Sequence, residues 1–267
     1  YGQERVSRLS SDIQYLLREY GDKRGWDCFF LNQWADGSQA PVFKCFATTL
    51  FPQVKDCKGI TQNVPGYHSD EAWRQETDRV RQMLAMDFPR LTLLSTDTGN
   101  HRRTRKSGFD GTASYDPKED LDTWLDNALS ATQHQLVFSF NTNAGLDEIE
   151  RRNVPSDSCL KSRPFVPKAP PFNWSKEEGR ELAKDLSEQR IQETLEWGLL
   201  LQTHPWLGNS DAGFFLTYIT SFNEWHEGTQ FEPMKKSAFL TNAEREVGYH
   251  NPQNGFYRLQ QLTKLLS

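Results

Sequence analysis

The stretch GFFLTYITSFNEWHEGTQFEP, residues 213–233, runs from an apolar segment straight into two carboxylates, an imidazole and an indole. Residues 213–222 read as a β-strand, and Asn223, Glu224, Trp225, His226 and Glu227 fall where that strand ends. In parallel α/β folds the functional groups gather at the carboxyl ends of strands. A carboxylate at such an end and another three residues into the loop can both face the mouth of the sheet. Glycoside hydrolysis requires a pair of this kind, one group acting as acid on the leaving oxygen and the other as base or nucleophile. A solvated loop would also carry charge, but an apolar strand feeding the cluster and a tryptophan inside it weigh toward function.

The segments upstream alternate between strand and helix patterns. QERVSRLSSDIQYLLREY (3–20) places Leu9, Ile13, Leu16 and Leu17 at helical spacing with Val6, and Gly21 stops it. WDCFFL (26–31) reads as a late helix or a short extended piece, and PVFKCFA (41–47) as a buried strand. A helix over 69–86 starts at Ser69, with Asp70 and Glu71 in its first turn and Trp73, Val80, Met83 and Leu84 on one face. LTLLSTD (91–97) is a strand, followed by a basic turn, a shorter strand SGFDGTASY (107–115) and a helix marked by Leu121, Trp124, Leu125 and Ala128. LVFSFN (136–141) is the next strand. A proline-rich loop then leads to a capping box at Ser175 and Glu178, a long helix through Leu182 to Leu200, and a last helix over Phe256 to Leu266.

These patterns make the fold class α/β, with strands near 41, 91, 108, 136 and 214 whose continuous apolarity suits a parallel sheet buried on both faces. A closed (β/α)8 barrel needs eight strands. The pattern by itself fits either a five-stranded doubly wound sheet or the last five-eighths of a barrel, and no G-x-G-x-x-G favours a dinucleotide fold.

Composition narrows the function classes. The 267 residues are 36% hydrophobic and 25% charged, ordinary globular values. No apolar stretch approaches the length of a spanning helix, and the mean hydropathy is −0.75. A net charge of −5 supplies no field for nucleic acid or an anionic membrane. Cys28, Cys45, Cys57 and Cys159 form no C-x-x-C and have no flanking histidine, so no metal is expected. The same cysteines as disulfides, with the sequon Asn173-Trp174-Ser175, would suit a secreted or periplasmic protein, and as buried thiols they would not, so the compartment stays open. The chain opens on Tyr1 with neither a basic nor an apolar leader, as a processed chain or a fragment would.

Other clusters carry less. His226-Glu227 fails as H-E-x-x-H because position 230 is Gln, and Asp97-Thr98-Gly99 has no second copy to complete an aspartic protease pair. His101, Arg102, Arg103, Arg105 and Lys106 read as a solvated basic turn. Arg151 and Arg152, after another strand end, could bond sugar hydroxyls or pair with Asp147, Glu148 or Glu150. Tyr115 has the amphipathic body that sugar subsites use.

SFNEWHEGTQFEP strongly resembles the motif of glycoside hydrolase family 99, the endo-α-mannosidases and endo-α-mannanases, which carries Ile where this chain has Phe231. In the same order, YGQERVSRLSSDIQYLLREYG resembles the family's helix after the third barrel strand, and PVFKCFA its fourth strand. GFDGTASY resembles its Gly-Phe-Asp-Gly strand and FSFNTNAGLDEIERR its seventh-strand segment. The likeness spans most of the chain and is loose outside the C-terminal motif.

The resemblance implies a (β/α)8 barrel of which this chain holds about strands four to eight, residues 1–267 forming a single catalytic-type domain. It implies a retaining, cofactor-free enzyme acting through a 1,2-anhydro sugar on a mannose-containing oligo- or polysaccharide. Glu224 would take the proton from the sugar 2-OH, and Glu227 would protonate the departing oxygen and then deprotonate water. That division needs Glu227 protonated while Glu224 is ionised. Asn223, Trp225, His226, Tyr115 and Arg152 would bind substrate. Tyr115 matches the second Tyr of a family Tyr-x-Tyr whose first is Ala113 here, and Arg152 lies in an Arg-x-Arg-Pro-Trp loop whose Pro-Trp is replaced by Asn153-Val154. The alternatives are a barrel acting on another α-glycan, a glycosyltransferase-like protein of polysaccharide synthesis, and a non-catalytic carbohydrate-binding remnant.

Overall fold

The computed structural model describes residues 3–48, 51–56, 58–96, 99–117, 119–146, 173, 176–225, 227–246 and 249–267, with side chains from Arg8 onward. In chain order the elements are α1 (Gln3–Leu16), β1 (Leu31–Gln33), β2 (Gln39–Cys45), β3 (Gln53–Lys55), β4 (Thr61–Asn63), α2 (Asp70–Leu84), β5 (Thr92–Ser95), α3 (His101–Lys106) and β6 (Gly111–Ala113). Then come α4 (Trp124–Gln133), β7 (Val137–Ser139), β8 (Asn141–Asn143), α5 (Glu177–Thr203), α6 (Gly208–Ala212), β9 (Tyr218–Thr220), α7 (Asn242–Glu246) and α8 (Tyr257–Leu266). They fall into two compact units, one of residues 1–114, 124–139 and 200–216, the other of 115–123, 140–199 and 217–267.

The first unit is built on a sheet in the order β1-β2-β5-β6-β7, parallel except for β1, which pairs antiparallel with the start of β2. Every residue of β5 is buried, because both faces of this strand are covered and an unbroken apolar run can stay there. α2 starts where its cap predicts: the Ser69 hydroxyl accepts the Ala72 N–H at 3.2 Å. Its buried residues Trp73, Val80 and Leu84 recur at helical spacing and pack with Ile13, Leu17, Leu91, Leu93 and Phe109. By area bookkeeping each such side chain contributes about 1.5–3 kcal/mol.

The second unit holds the parallel pair β8–β9, with Asn143 opposite Thr220, α5 as far as Leu199, and the helices α7 and α8. Ala144, Ile191, Phe231 and Leu262 form a buried apolar cluster there.

Several elements differ from the expectation. The basic segment 101–106 is a helix, not a solvated turn: the Asn100 side chain caps it, and Arg103 is buried, paired with Asp70 at 2.6 Å and lying over the Tyr67 ring. The apolar run 213–217 precedes its strand. Gly213, at φ 72°, closes α6 where a Cβ would stand 2.8 Å from the Ala35 nitrogen, and Phe214 is used to stack on Trp34 rather than to extend a ladder. The strand expected over 136–141 breaks at Phe140 into β7, which pairs with β6, and β8, which pairs with β9. The strand expected over 107–115 starts only at Gly111, because Asp110 turns inward to accept the Leu93 N–H and an Arg81 N–H, each at 2.8 Å. The polar hairpin β3–β4 had no apolar pattern to signal it.

Cys28 and Cys45 are free thiols, and burial pushes the Cys45 thiol up to about 12. Cys57, Cys159, the residues of the Asp97-Thr98 dipeptide, the proline-rich loop and the Ser175 cap lie outside the described residues. No described helix is long and apolar enough to cross a membrane.

Candidate active site

β9 ends at Thr220, and the chain then closes on itself over nine residues. The Ser221 N–H donates to the Thr229 carbonyl at 3.2 Å, and the Phe231 N–H returns to the Ser221 carbonyl at 2.9 Å. Inside that ring the Ser221 hydroxyl accepts the Glu224 N–H at 2.9 Å and meets the Thr229 hydroxyl at 3.1 Å. The Thr229 N–H reaches the Glu224 carbonyl at 3.3 Å, and Gly228, at φ 66°, makes the return turn. The Thr220–Ser221 peptide is cis.

Glu224 and Glu227 emerge from this loop half-buried, and Asn223 is exposed with its carbonyl accepting the Trp225 N–H at 3.1 Å. Trp225 is 47% exposed, and its indole N–H donates to a Glu232 carboxylate oxygen at 3.0 Å. The bond fixes the edge of the ring while about half of the residue stays exposed, a posture suited to stacking on a flat apolar ligand face. His226 and Arg152 lie outside the described residues.

Tyr115 stands with the two carboxylates. Burial raises its phenol above the ordinary 10.0, and the charges of Glu224 and Glu227 push it further the same way. One phenol senses both carboxylates, so these three side chains share one electrostatic neighbourhood at the carboxyl end of the β8–β9 pair.

A residue that the sequence pattern did not single out supports the loop from beneath. Arg258 on α8 is 2% exposed, and its Nη1 donates to the carbonyls of Gly228 at 2.7 Å and Gln230 at 2.8 Å. Its Nε donates to the Tyr257 hydroxyl at 3.0 Å. A buried cation on a pair of carbonyls fixes the return side of the loop, because leaving either carbonyl unbonded would cost about 1–3 kcal/mol.

A cavity of about 380 Å³ in the first unit, lined by Trp34, Arg90, Arg105, Asp110 and Leu136 among others, opens at the amino ends of β5, β6 and β7. In parallel α/β folds that end serves stability rather than chemistry.

No family model and no curated protein matches this sequence. Among solved structures, the chain is similar to the glycoside hydrolase family 99 endo-α-mannosidase from Bacteroides thetaiotaomicron in complex with bis-tris-propane, at 16% identity and a TM-score of 0.53, over 97% of this chain and 65% of that one. A second structure of the Bacteroides thetaiotaomicron endo-α-mannosidase matches at 15% identity and a TM-score of 0.55, over 97% of this chain and 61% of that one. This chain thus spans less than two thirds of their length. The likeness shows a shared fold, and the parallel α/β arrangement is consistent with an incomplete (β/α)8 barrel.

Proposed function

We propose that this chain is a retaining, endo-acting glycoside hydrolase that cleaves α-mannosidic linkages in a mannose-containing oligo- or polysaccharide without a cofactor. The observation that carries the reading is the convergence of the Tyr115 phenol with the Glu224 and Glu227 charges beyond the ends of β8 and β9. The fold likeness to two endo-α-mannosidase structures supports it, as does the loop sequence itself.

In this reading the Glu224 carboxylate takes the sugar 2-OH proton as that oxygen attacks C1. The C1 bond to the glycosidic oxygen breaks, and the departing oxygen takes its proton from Glu227. The shortened glycan leaves with that proton, and a 1,2-anhydro sugar remains. Water then attacks C1, giving its proton to Glu227, while the opened ring oxygen recovers one from Glu224. Each step inverts C1, so the anomeric configuration is retained. Asn223, Tyr115 and the exposed face of Trp225 bind the sugar, with His226 and Arg152 in the same role.

The test is incubation with oligosaccharides containing α-1,2-mannobiose, scoring new reducing ends and the anomer formed first by NMR. Wild type should release the α-anomer, and Glu227→Gln should lose about 10²–10⁴-fold in kcat/KM, the scale of a general acid's contribution. Binding without cleavage would make the chain a carbohydrate-binding protein, and unchanged turnover in Glu227→Gln would sink the assignment.

A further inference from the structure

Among the described residues of the segment that carries Tyr115, residues 115–123, there is one 3-10 turn, Leu121–Thr123, and no strand or α-helix, so contacts other than a ladder position this segment. The groups that bond it are on α5, Arg190 buried and Trp197 half-buried. Arg190 Nη2 donates to the Glu119 carbonyl at 2.7 Å and to the Pro117 carbonyl at 3.3 Å, and the Trp197 indole N–H donates to the Leu121 carbonyl at 3.2 Å. Alternate carbonyls along the segment are thus clasped by one helix.

Arg190 is itself aimed. Its Nε donates to Asn143 Oδ1 at 3.1 Å, and Asn143 Nδ2 donates to Asn141 Oδ1 at 2.6 Å. The Thr194 hydroxyl accepts the Asn143 N–H at 3.2 Å and donates to the Arg190 carbonyl at 2.7 Å. Asn141 and Asn143 are fully buried in β8, the strand whose partner β9 runs into the loop of Glu224 and Glu227. Burying two amides and a guanidinium in one strand-to-helix joint is costly unless every group is bonded, and here they are bonded to one another and to the Tyr115 segment. Burial lowers the Arg190 pKa, while Glu193, Asp120, Glu119 and Asp116 supply the opposite charge that retains its proton.

We propose that Arg190, oriented by Asn143 and Asn141, is a positioning residue that sets where the Tyr115 phenol stands relative to Glu224 and Glu227. Its catalytic consequence rests on the hydrolase reading, but its geometric content does not. A phenol O–H beside two carboxylates can donate to either, so its placement decides which of them it supports. Misplacement by about 1 Å is enough to cost on the order of 10²-fold in rate.

The test uses the full chain labelled with ¹³Cζ-tyrosine, the Tyr115 resonance being assigned by its loss in Tyr115→Phe. At one fixed pH that resonance should move when Glu224→Gln with Glu227→Gln removes the neighbouring charges. Arg190→Lys keeps the charge but not the fork, and Asn143→Ser cuts the link to Asn141. Each should shrink the movement roughly twofold or more, as Coulomb's distance dependence requires when a phenol retreats by a few ångströms, with an otherwise native amide fingerprint.

A native-sized movement in two folded variants would overturn the proposal. So would unfolding of both, since the network would then be holding the fold rather than aiming the phenol. On the mannoside, Arg190→Lys should lower kcat on the order of 10²-fold with KM little changed. Absence of any cleavage by wild type would refute the hydrolase reading while leaving the resonance to decide this one.

Discussion

Arg258→Leu removes a buried cation from beneath the loop and leaves an apolar side chain against two carbonyls. The Gly228 and Gln230 carbonyls lose donors at 2.7 and 2.8 Å, and the Tyr257 hydroxyl loses one at 3.0 Å. At about 1–3 kcal/mol for each stranded carbonyl the loss is about 2–6 kcal/mol, reduced by the desolvation that a guanidinium no longer suffers. Arg258→Lys keeps a donor for both carbonyls on one ammonium but drops the N–H to the Tyr257 hydroxyl, and should lose less than Arg258→Leu. For a chain of this size a loss of about 3 kcal/mol lowers Tm by about 6–12 °C. Stability alone would not locate the effect, so amide hydrogen exchange is the deciding assay. The Thr229 and Phe231 N–H groups, bonded within the loop to the Glu224 and Ser221 carbonyls, should lose protection first, while the buried strand Thr92–Ser95 of the other unit keeps its own. Exchange that rises equally in both places, or an Arg258→Leu chain as stable as wild type within about 0.5 kcal/mol, would refute the assigned role.

Two further outcomes follow, one from a buried lysine and one from the turn of the loop itself. Burial lowers Lys44 from its ordinary 10.5 to about 8, so between those values the unfolded chain binds more protons than the folded one and stability rises with pH, by up to roughly 3 kcal/mol. Urea unfolding across pH 7–9, below the range where the raised Cys45 thiol acts in the opposite sense, should show the first part of that rise in wild type and lose it in Lys44→Met, and parallel profiles would contradict it. Gly228→Ala forces a side chain into a left-handed turn and should cost about 1–2 kcal/mol in the same assay, with a loss of glycan cleavage beyond what the stability change explains; an unaffected variant would show that the turn can relax.

What the sequence disclosed depended on whether a residue's partner was near it in the chain. α2 was legible because Ser69, its acidic first turn and the spacing of Trp73, Val80 and Leu84 all lie within one helix. β5 was legible because both its faces are buried and Thr92 to Leu94 need no alternation. The run at 213–217 misled because apolarity reports burial and not backbone conformation. Phe214 is buried by stacking on Trp34, and Gly213 forces the turn that keeps it out of a ladder. The same limit hid Arg103, which reads as one charge among several but is buried by Asp70, thirty-three positions upstream. In the candidate site, Glu224 and Glu227 were visible as a local crowding of carboxylates. Arg190 and Arg258 were not, because single arginines on amphipathic helices look solvated and their carbonyl partners lie 71 and 30 positions away.

Those two arginines also suggest why guanidinium was placed there. Each must satisfy a pair of carbonyls in a loop that has no ladder to pair them: Pro117 and Glu119 for Arg190, Gly228 and Gln230 for Arg258. An amide side chain offers one NH₂ group and would satisfy such a pair only by rotating its own oxygen against another acceptor. An ammonium offers three protons but no second nitrogen to be held apart from them, and its stem's freedom must be frozen. In each guanidinium one terminal NH₂ reaches both acceptors, and the separate Nε–H is aimed by Asn143 in one case and by the Tyr257 hydroxyl in the other. The segments bearing Tyr115 and the carboxylates are therefore held by the same device from two different helices, α5 and α8. The relative placement of phenol and carboxylates then follows from buried contacts rather than from the exposed loop surface, where a glycan would bind.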